Sequence, residues 1–200
     1  MSSSKKNPRV IRRERPNRTI RKRNYREVAL PFLIKDFAER CAYSMQHLSR
    51  AGGVKCMEVD HFDPTLEDSV RNVYENLFLA TRHCNLSKRD LWPTLFERTQ
   101  GMRFLNCCKE QDYGVHIKED ADSHYLVGLT PAGRYHILAC DLNSPHLIEE
   151  RKLRAKLLDL LSRRRMNLKP CVRFQDAQIA VNELRRIVGR MIPSIPYTEK

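Results

Sequence analysis

The sequence lacks any long run of apolar residues. No segment approaches the roughly 18 residues needed to cross a bilayer, and the first ten residues, MSSSKKNPRV, lack the apolar centre of a secretory signal. We therefore expect a cytoplasmic protein without a membrane-spanning segment. The chain has 200 residues, of which 41% are hydrophobic, and this is enough to bury a core.

The sequence also lacks the regular cysteine spacing of a disulfide framework. Its seven cysteines are an odd number, and Cys107 and Cys108 are adjacent. Reduced thiols are the simpler interpretation, in agreement with a cytoplasmic location.

Acidic residues are scarce near the N-terminus. Residues 1–26 hold eleven Lys or Arg and a single acid, Glu14, so this segment carries most of the net charge of +13. Pro8 and Pro16 would interrupt a helix, and we predict a basic disordered arm over residues 1–24. Such an arm is typical of contact with a polyanion, most often nucleic acid. A solvated tail that only maintains solubility is the alternative.

Hydrophobic periodicity and turn residues predict an α+β fold, and we expect a first domain over residues 25–100. Its predicted elements are a helix of about three turns from Ile34, a strand over 54–59, a polar loop over 62–75 that can contain a helical turn, a strand over 76–81 and a short helix within 82–91.

Residues 101–200 predict a small antiparallel β region and two C-terminal helices, which would supply specificity, DNA contacts or a docking surface for a partner. The candidate strands are YGVHIKE, HYLVGLT and GRYHILACDL. Asn143 or Ser144 offers an N-cap before Pro145 for a helix to about Arg165, and a final helix is predicted from about Asp176 until Pro193.

Four polar residues are predicted at the ends of the first domain's elements. Asp60 and His61 end the first strand, Asn76 begins the second, and Asn85 lies on the helix that follows. If the strands pair antiparallel and the helix folds back across them, all four side chains can converge on one side of the hairpin.

This set meets the needs of metal-assisted phosphodiester hydrolysis. His61 can take a proton from the attacking water near neutral pH. Asp60 and the side-chain oxygen of Asn85 can hold a hard divalent cation, Mg²⁺ or Mn²⁺, and leave positions open for phosphate oxygens. The amide of Asn76 can bond the loop backbone between the strands and orient the imidazole.

The segments VDHFDP and ENLFLATRHCNLSKRD resemble the core of the HNH endonuclease family, in its HNN variant. The resemblance covers residues 41–92 and implies a ββα-metal fold embedded in helices. It implies that His61 is the general base, that Asp60 and Asn85 are metal ligands, and that Asn76 orients the loop. A loop that merely begins with Asp60 and His61 is the alternative.

The resemblance implies hydrolysis of DNA, with RNA as an open alternative. Members of this size include restriction-type, homing and phage-defence nucleases, and some act beside an ATPase partner. The expected contacts with the sugar-phosphate backbone come from Arg12, Arg13, Arg21, Lys22 and Arg23 in the arm and from Arg82, Lys88 and Arg89.

Many HNH proteins also bind a structural zinc through two C-x-x-C pairs, and this chain departs from that pattern. The corresponding stretches, CAYS and TRHC, keep only Cys41 and Cys84, with Ser44 and Thr81 at the other two positions. A hydroxyl is a poor zinc ligand, so small buried thiols that pack these elements are the alternative to a structural zinc.

Two further hypotheses compete with a nuclease. The chain can be a nucleic-acid-binding module on a ββα scaffold without turnover, although decay of the activity should first remove His61 or a ligand. It can also be an interaction subunit whose C-terminal helices bind another protein. The oligomeric state and the sequence specificity stay open.

Overall fold

A computed structural model describes residues 9–167 of the chain, with side chains through residue 159. The fold mixes helix and sheet, and the chain divides into two units between Ser144 and Pro145. The helices are α1 (Tyr25–Asp36), α2 (Leu48–Ala51), α3 (Asp68–Arg71), α4 (Arg82–Lys88), α5 (Leu95–Thr99), α6 (Pro131–Ala139) and α7 (Pro145–Asn167). The strands are β1 (Met57–His61), β2 (Leu77–Thr81), β3 (Ile117–Glu119) and β4 (Leu126–Gly128).

An antiparallel hairpin of β1 and β2 lies at the centre of the first unit. Asp60 pairs with Phe78 and His61 with Leu77, at the end where the connecting loop leaves the sheet. β2 is buried along its whole length, and α4 follows it directly. The Thr81 hydroxyl caps α4 by accepting a hydrogen bond from the amide of Cys84. The predicted order of strand, loop, strand and helix is therefore present.

Helix α1 begins at Tyr25, so the predicted start at Ile34 is wrong. Pro31 lies inside this helix and cannot donate a hydrogen bond, at a typical cost of about 3 kcal/mol. Val28, Ala29 and Leu33 are buried, and α1 packs on both strands of the hairpin. Burial of a large apolar side chain contributes about 1.5–3 kcal/mol, so this packing offsets the defect at Pro31.

Aromatic side chains fill the core beside the hairpin. Phe62 stacks on Phe78 with ring centroids 4.6 Å apart, and its edge meets Trp92 at 5.7 Å. Trp92 in turn stacks on Phe104 at 5.7 Å. The cluster joins the loop after β1, the strand β2 and the segment after α4, so it holds the two ends of the hairpin loop in place.

The β region after residue 100 contains two strands in the described structure, β3 and β4, which pair antiparallel. The third predicted strand, GRYHILACDL, is wrong because most of it forms helix α6. Thr130 accepts a hydrogen bond from the amide of Gly133, and Pro131 occupies the first helical turn, so the start of α6 carries strong helix signals. A Cβ on Gly133 would lie 2.0 Å from the carbonyl oxygen of His116, so only glycine permits this close approach.

Helix α7 begins at Pro145, as the sequence predicts, and is described as far as Asn167. The second predicted C-terminal helix, from about Asp176, lies outside the described residues. Within residues 9–167, no helix combines the length and the apolar character needed to cross a bilayer.

Candidate active site

Asn76 binds the backbone of the loop between β1 and β2 from both ends. Its Oδ1 accepts a hydrogen bond from the amide of Asp63 at 2.9 Å, and its Nδ2 donates to the carbonyls of Asp63 at 3.0 Å and Arg71 at 2.9 Å. Its carbonyl also accepts from the amide of Phe62 at 2.8 Å. The loop conformation beside His61 is therefore held by one buried side chain.

The imidazole of His61 lies at the end of β1, half-buried, on the side of the strand that faces α1. Its ring centroid is 4.9 Å from that of Tyr25, and its Nε2 lies 3.0 Å from Oδ1 of Asn72. A helix residue and a loop residue thus hold the ring from two directions.

The carboxylate of Asp60 is buried and already has partners. Tyr43 donates a hydrogen bond to Oδ2, and Nζ of Lys88 lies 3.1 Å from Oδ2 and 3.3 Å from Oδ1. Burial raises the pKa of Asp60, while the Lys88 ammonium and the Tyr43 hydroxyl act in the opposite direction. The same desolvation and the nearby carboxylate raise the pKa of Tyr43.

Lys88 is fully buried, so it is not presented to a phosphate in this arrangement. Besides Asp60, it donates to the carbonyl of His61 at 2.8 Å and lies 5.3 Å from the ring centroid of Phe104. The side chain that the sequence assigns to phosphate binding therefore links α4 to the end of β1.

Asn85 lies one helical turn before Lys88 on α4, and it bonds a different acid of β1. Its Nδ2 donates to Oε2 of Glu58 at 2.6 Å. Glu58 and Asp60 are two residues apart, so they share one face of the strand. The imidazole of His61 lies near enough to the Asp60 carboxyl to act toward a lower pKa of that group. The strand end therefore keeps the predicted base near the predicted carboxylate ligand, while Asn85 bonds Glu58.

The donor set on the α4 face is suited to a hard cation. Asp60, Glu58 and Asn85 supply carboxylate and amide oxygens, which are the ligands that Mg²⁺ and Mn²⁺ prefer. A cationic group already lies against Asp60, because the Lys88 ammonium occupies that position. In residues 9–167, no group of three or more His, Cys, Asp or Glu side chains has a metal-holding arrangement. A divalent cation at Asp60 would have Asn85 and Glu58 as its other protein ligands.

The four positions of the expected zinc site do come together around the sulfur of Cys41. This sulfur is hydrogen-bonded by Cys84 and Ser44, and the Thr81 hydroxyl lies 3.7 Å away. Both cysteines are fully buried, and the hydrogen bond to Cys41 raises the pKa of Cys84, as does burial. Two thiols and two hydroxyls do not fit a tetrahedral zinc, so these residues stabilise the site by packing and hydrogen bonding.

The described part of the predicted arm, residues 9–24, contacts the body of the protein. Arg9 is hydrogen-bonded to both carboxylate oxygens of Asp112, with Nη2 2.7 Å from Oδ2. Arg12 donates to the carbonyls of Tyr74 at 2.6 Å and Leu77 at 2.8 Å. These two guanidinium groups are used internally, since hydrogen bonds from a charged donor to backbone carbonyls and to a buried carboxylate are strong.

The other predicted nucleic-acid contacts are exposed at the surface: Arg13, Arg21, Lys22, Arg23, Arg82 and Arg89. Arg21 and Lys22 line one wall of a groove of about 570 Å³. Asp68 and Asn72 lie on the other wall, and Asn72 is the residue that contacts His61. Lys22 forms an ion pair with Asp68 at 3.7 Å, and Asn72 is the lining residue that connects this groove to the candidate base.

Three residues of this site are absent from the sequence prediction. Glu58 had a signal, because residues two apart on a strand share a face with Asp60. Tyr43 and Asn72 had none, since each reaches the site from a segment whose position depends on the tertiary fold. The structure alone identifies them.

No protein-family model, no curated protein and no solved structure matches this chain.

Proposed function

We propose that this protein is an HNH-type endonuclease that hydrolyses phosphodiester bonds in DNA. The observation that carries the proposal is the antiparallel hairpin followed by α4, with His61 at the strand end and Asn76 binding the intervening loop. A strand end held in this way gives a general base a rigid support, which efficient proton transfer requires.

His61 acts as the general base and takes a proton from the water that attacks phosphorus. Asn76 holds the loop against which the ring lies, and Tyr25 limits its rotation. Asp60 and Asn85, with Glu58 beside them, would hold a divalent cation. When bound, this cation stabilises the negative charge on the phosphate and on the leaving oxygen.

Exposed basic residues bind the DNA backbone. Arg21 and Lys22 beside the groove, with Arg82 and Arg89 on and after α4, supply charge without elements that read bases, so sequence preference is weak.

A nicking assay tests the proposal. Purified protein is incubated with supercoiled plasmid and Mg²⁺ or Mn²⁺, with and without EDTA, beside His61→Ala and the control His124→Ala. Nδ1 of His124 lies 2.9 Å from Oε1 of Glu119, the last residue of β3. We expect the wild type and H124A to nick DNA and H61A to lose at least a hundredfold in rate. Equal nicking by H61A, or no nicking of DNA or RNA by the wild type, would overturn the proposal.

A second candidate function is nucleic-acid binding without hydrolysis. The observation in its favour is the ion pair of Lys88 with Asp60, which neutralises the expected cation ligand. This candidate predicts that the wild type binds DNA in a salt-dependent manner, and that neither divalent cations nor H61A changes the integrity of the plasmid.

A further inference from the structure

We propose that Asn72 is a positioning residue that holds His61 in the Nε2-protonated tautomer and so leaves Nδ1 as the proton-accepting nitrogen. The inference rests on the proposed function only for the role of His61 as a base. The tautomer itself follows from hydrogen-bond geometry.

The orientation of the Asn72 amide is determined by its second partner. Its Nδ2 lies 3.2 Å from the backbone carbonyl oxygen of Asp68, which can only accept a hydrogen bond. The nitrogen of the amide must therefore point to Asp68, and Oδ1 must point to His61.

The proton on His61 is then assigned by the same reasoning. Oδ1 of Asn72 can only accept, and it lies 3.0 Å from Nε2 of the imidazole. Nε2 must therefore donate, which in a neutral ring leaves the lone pair on Nδ1. Within residues 9–159, no hydrogen bond or ion pair reaches Nδ1 of His61.

Asn72 is itself well supported. It is buried and lies next to Arg71, whose carbonyl accepts a hydrogen bond from Nδ2 of Asn76. The ring of Tyr25 lies 4.9 Å from the imidazole and opposes its rotation. Asn76 therefore orients His61 indirectly. It holds the backbone at Arg71, and the neighbouring Asn72 holds the imidazole.

Nitrogen NMR of the histidine rings tests this assignment directly. The full chain is labelled with ¹⁵N-histidine, the His61 signals are identified by their loss in His61→Ala, and spectra are recorded at a pH where the rings are neutral. We expect one protonated nitrogen, Nε2, and one unprotonated nitrogen, Nδ1. A protonated Nδ1 in the wild type would overturn the proposal.

Variants of Asn72 separate positioning from general stability. Asn72→Leu removes the acceptor at similar size, and Asn72→Ala removes it without added bulk. We expect each variant that folds to move the His61 signals toward a mixture of tautomers and to lower the nicking rate about tenfold or more. Asn72→Asp keeps an acceptor oxygen and should retain the wild-type tautomer. The control Asn106→Leu removes an amide that bonds the backbone of Cys108, and it should leave the His61 signals unchanged.

The two proposals fail in different ways. Unchanged His61 signals in both N72L and N72A overturn the role of Asn72, whether or not the protein cuts DNA. If those signals move as expected while H61A still nicks DNA at the wild-type rate, the positioning role stands and the nuclease assignment fails.

Discussion

The ammonium of Lys88 lies 3.1 Å from Oδ2 of Asp60, and this ion pair is almost completely removed from solvent. A buried ion pair of this kind makes a fold little more stable than two apolar residues at the same positions would. Loss of one partner is expensive, however, because the other charge is then left uncompensated. The pair also occupies the carboxylate that the proposed activity needs.

We expect Lys88→Met to lower the free energy of unfolding by about 3–5 kcal/mol, because Asp60 is then buried without a counter-charge. Urea denaturation measures the change. The control is Lys152→Met, which breaks an exposed pair with Glu149 and should cost no more than about 1 kcal/mol. Similar losses in both variants would contradict a special role for the buried pair.

Divalent cations should raise the Tm of Lys88→Met more than that of the wild type. Removal of the ammonium frees the oxygens of Asp60 for a cation held also by Asn85, and a ligand that binds only the folded state stabilises it. Thermal unfolding with and without Mn²⁺ measures the difference. Adding Asp60→Asn to the Lys88→Met variant should abolish this additional rise in Tm. An equal response of all three proteins would show that no cation binds at Asp60.

His136 should make the protein less stable in mild acid. Burial lowers its pKa from 6.5 to about 4, despite the nearby carboxylate of Asp112, and its Nδ1 accepts a hydrogen bond from the amide of Leu105. The unfolded chain therefore binds a proton that the folded chain excludes, so stability is complete above pH 6.5 and falls as the pH decreases toward 4. The expected loss is about 3 kcal/mol. The free energy of unfolding, measured at several pH values between 4 and 6.5, should depend less on pH in His136→Gln than in the wild type. The same pH dependence in both proteins would contradict the role of His136.

Arg12 and the pair Arg21 and Lys22 should have opposite phenotypes although all three belong to one basic segment. Arg12→Gln should destabilise the fold by about 3 kcal/mol, because its guanidinium bonds three carbonyls and lies 4.8 Å from the Tyr74 ring centroid. Double substitution of Arg21 and Lys22 by Gln should leave stability unchanged. It should also reduce the slope of log K for DNA binding against log salt concentration by the amount expected for the loss of up to about two phosphate contacts. An unchanged salt slope would eliminate the groove as a DNA contact.

Asn76→Ala should loosen the loop between the strands. Three hydrogen bonds to loop backbone are lost, and the buried groups left without partners cost about 1–3 kcal/mol. We expect faster proteolysis within residues 62–76 and a lower nicking rate. Asn143→Ala is the matched control, because Asn143 also bonds a backbone amide and carbonyl, both of Leu126. Asn143→Ala should lower stability without faster proteolysis of the loop over residues 62–76.

Local signals predicted much of the fold. Apolar runs bounded by turn residues predicted both strands of the hairpin to within a few residues. Asn143 or Ser144, followed by Pro145, predicted the start of α7. The two failures have different causes. Burial of Leu33 and its neighbours carried α1 through Pro31, whereas the prediction of a third strand overlooked the local helix signals at Thr130 and Pro131.

The order of the site elements and the residue types at their ends follow from local sequence, because hydrophobic period and turn chemistry act over a few residues. Asp60, His61, Asn76 and Asn85 were identified on that basis. The partners of these side chains, in contrast, depend on how distant segments pack together. Contacts of Lys88 with Asp60, of Asn72 with His61 and of Arg12 with the Tyr74 carbonyl join segments that are 11 to 62 residues apart. Such contacts depend on how the helices pack against the hairpin, and no local pattern encodes that packing.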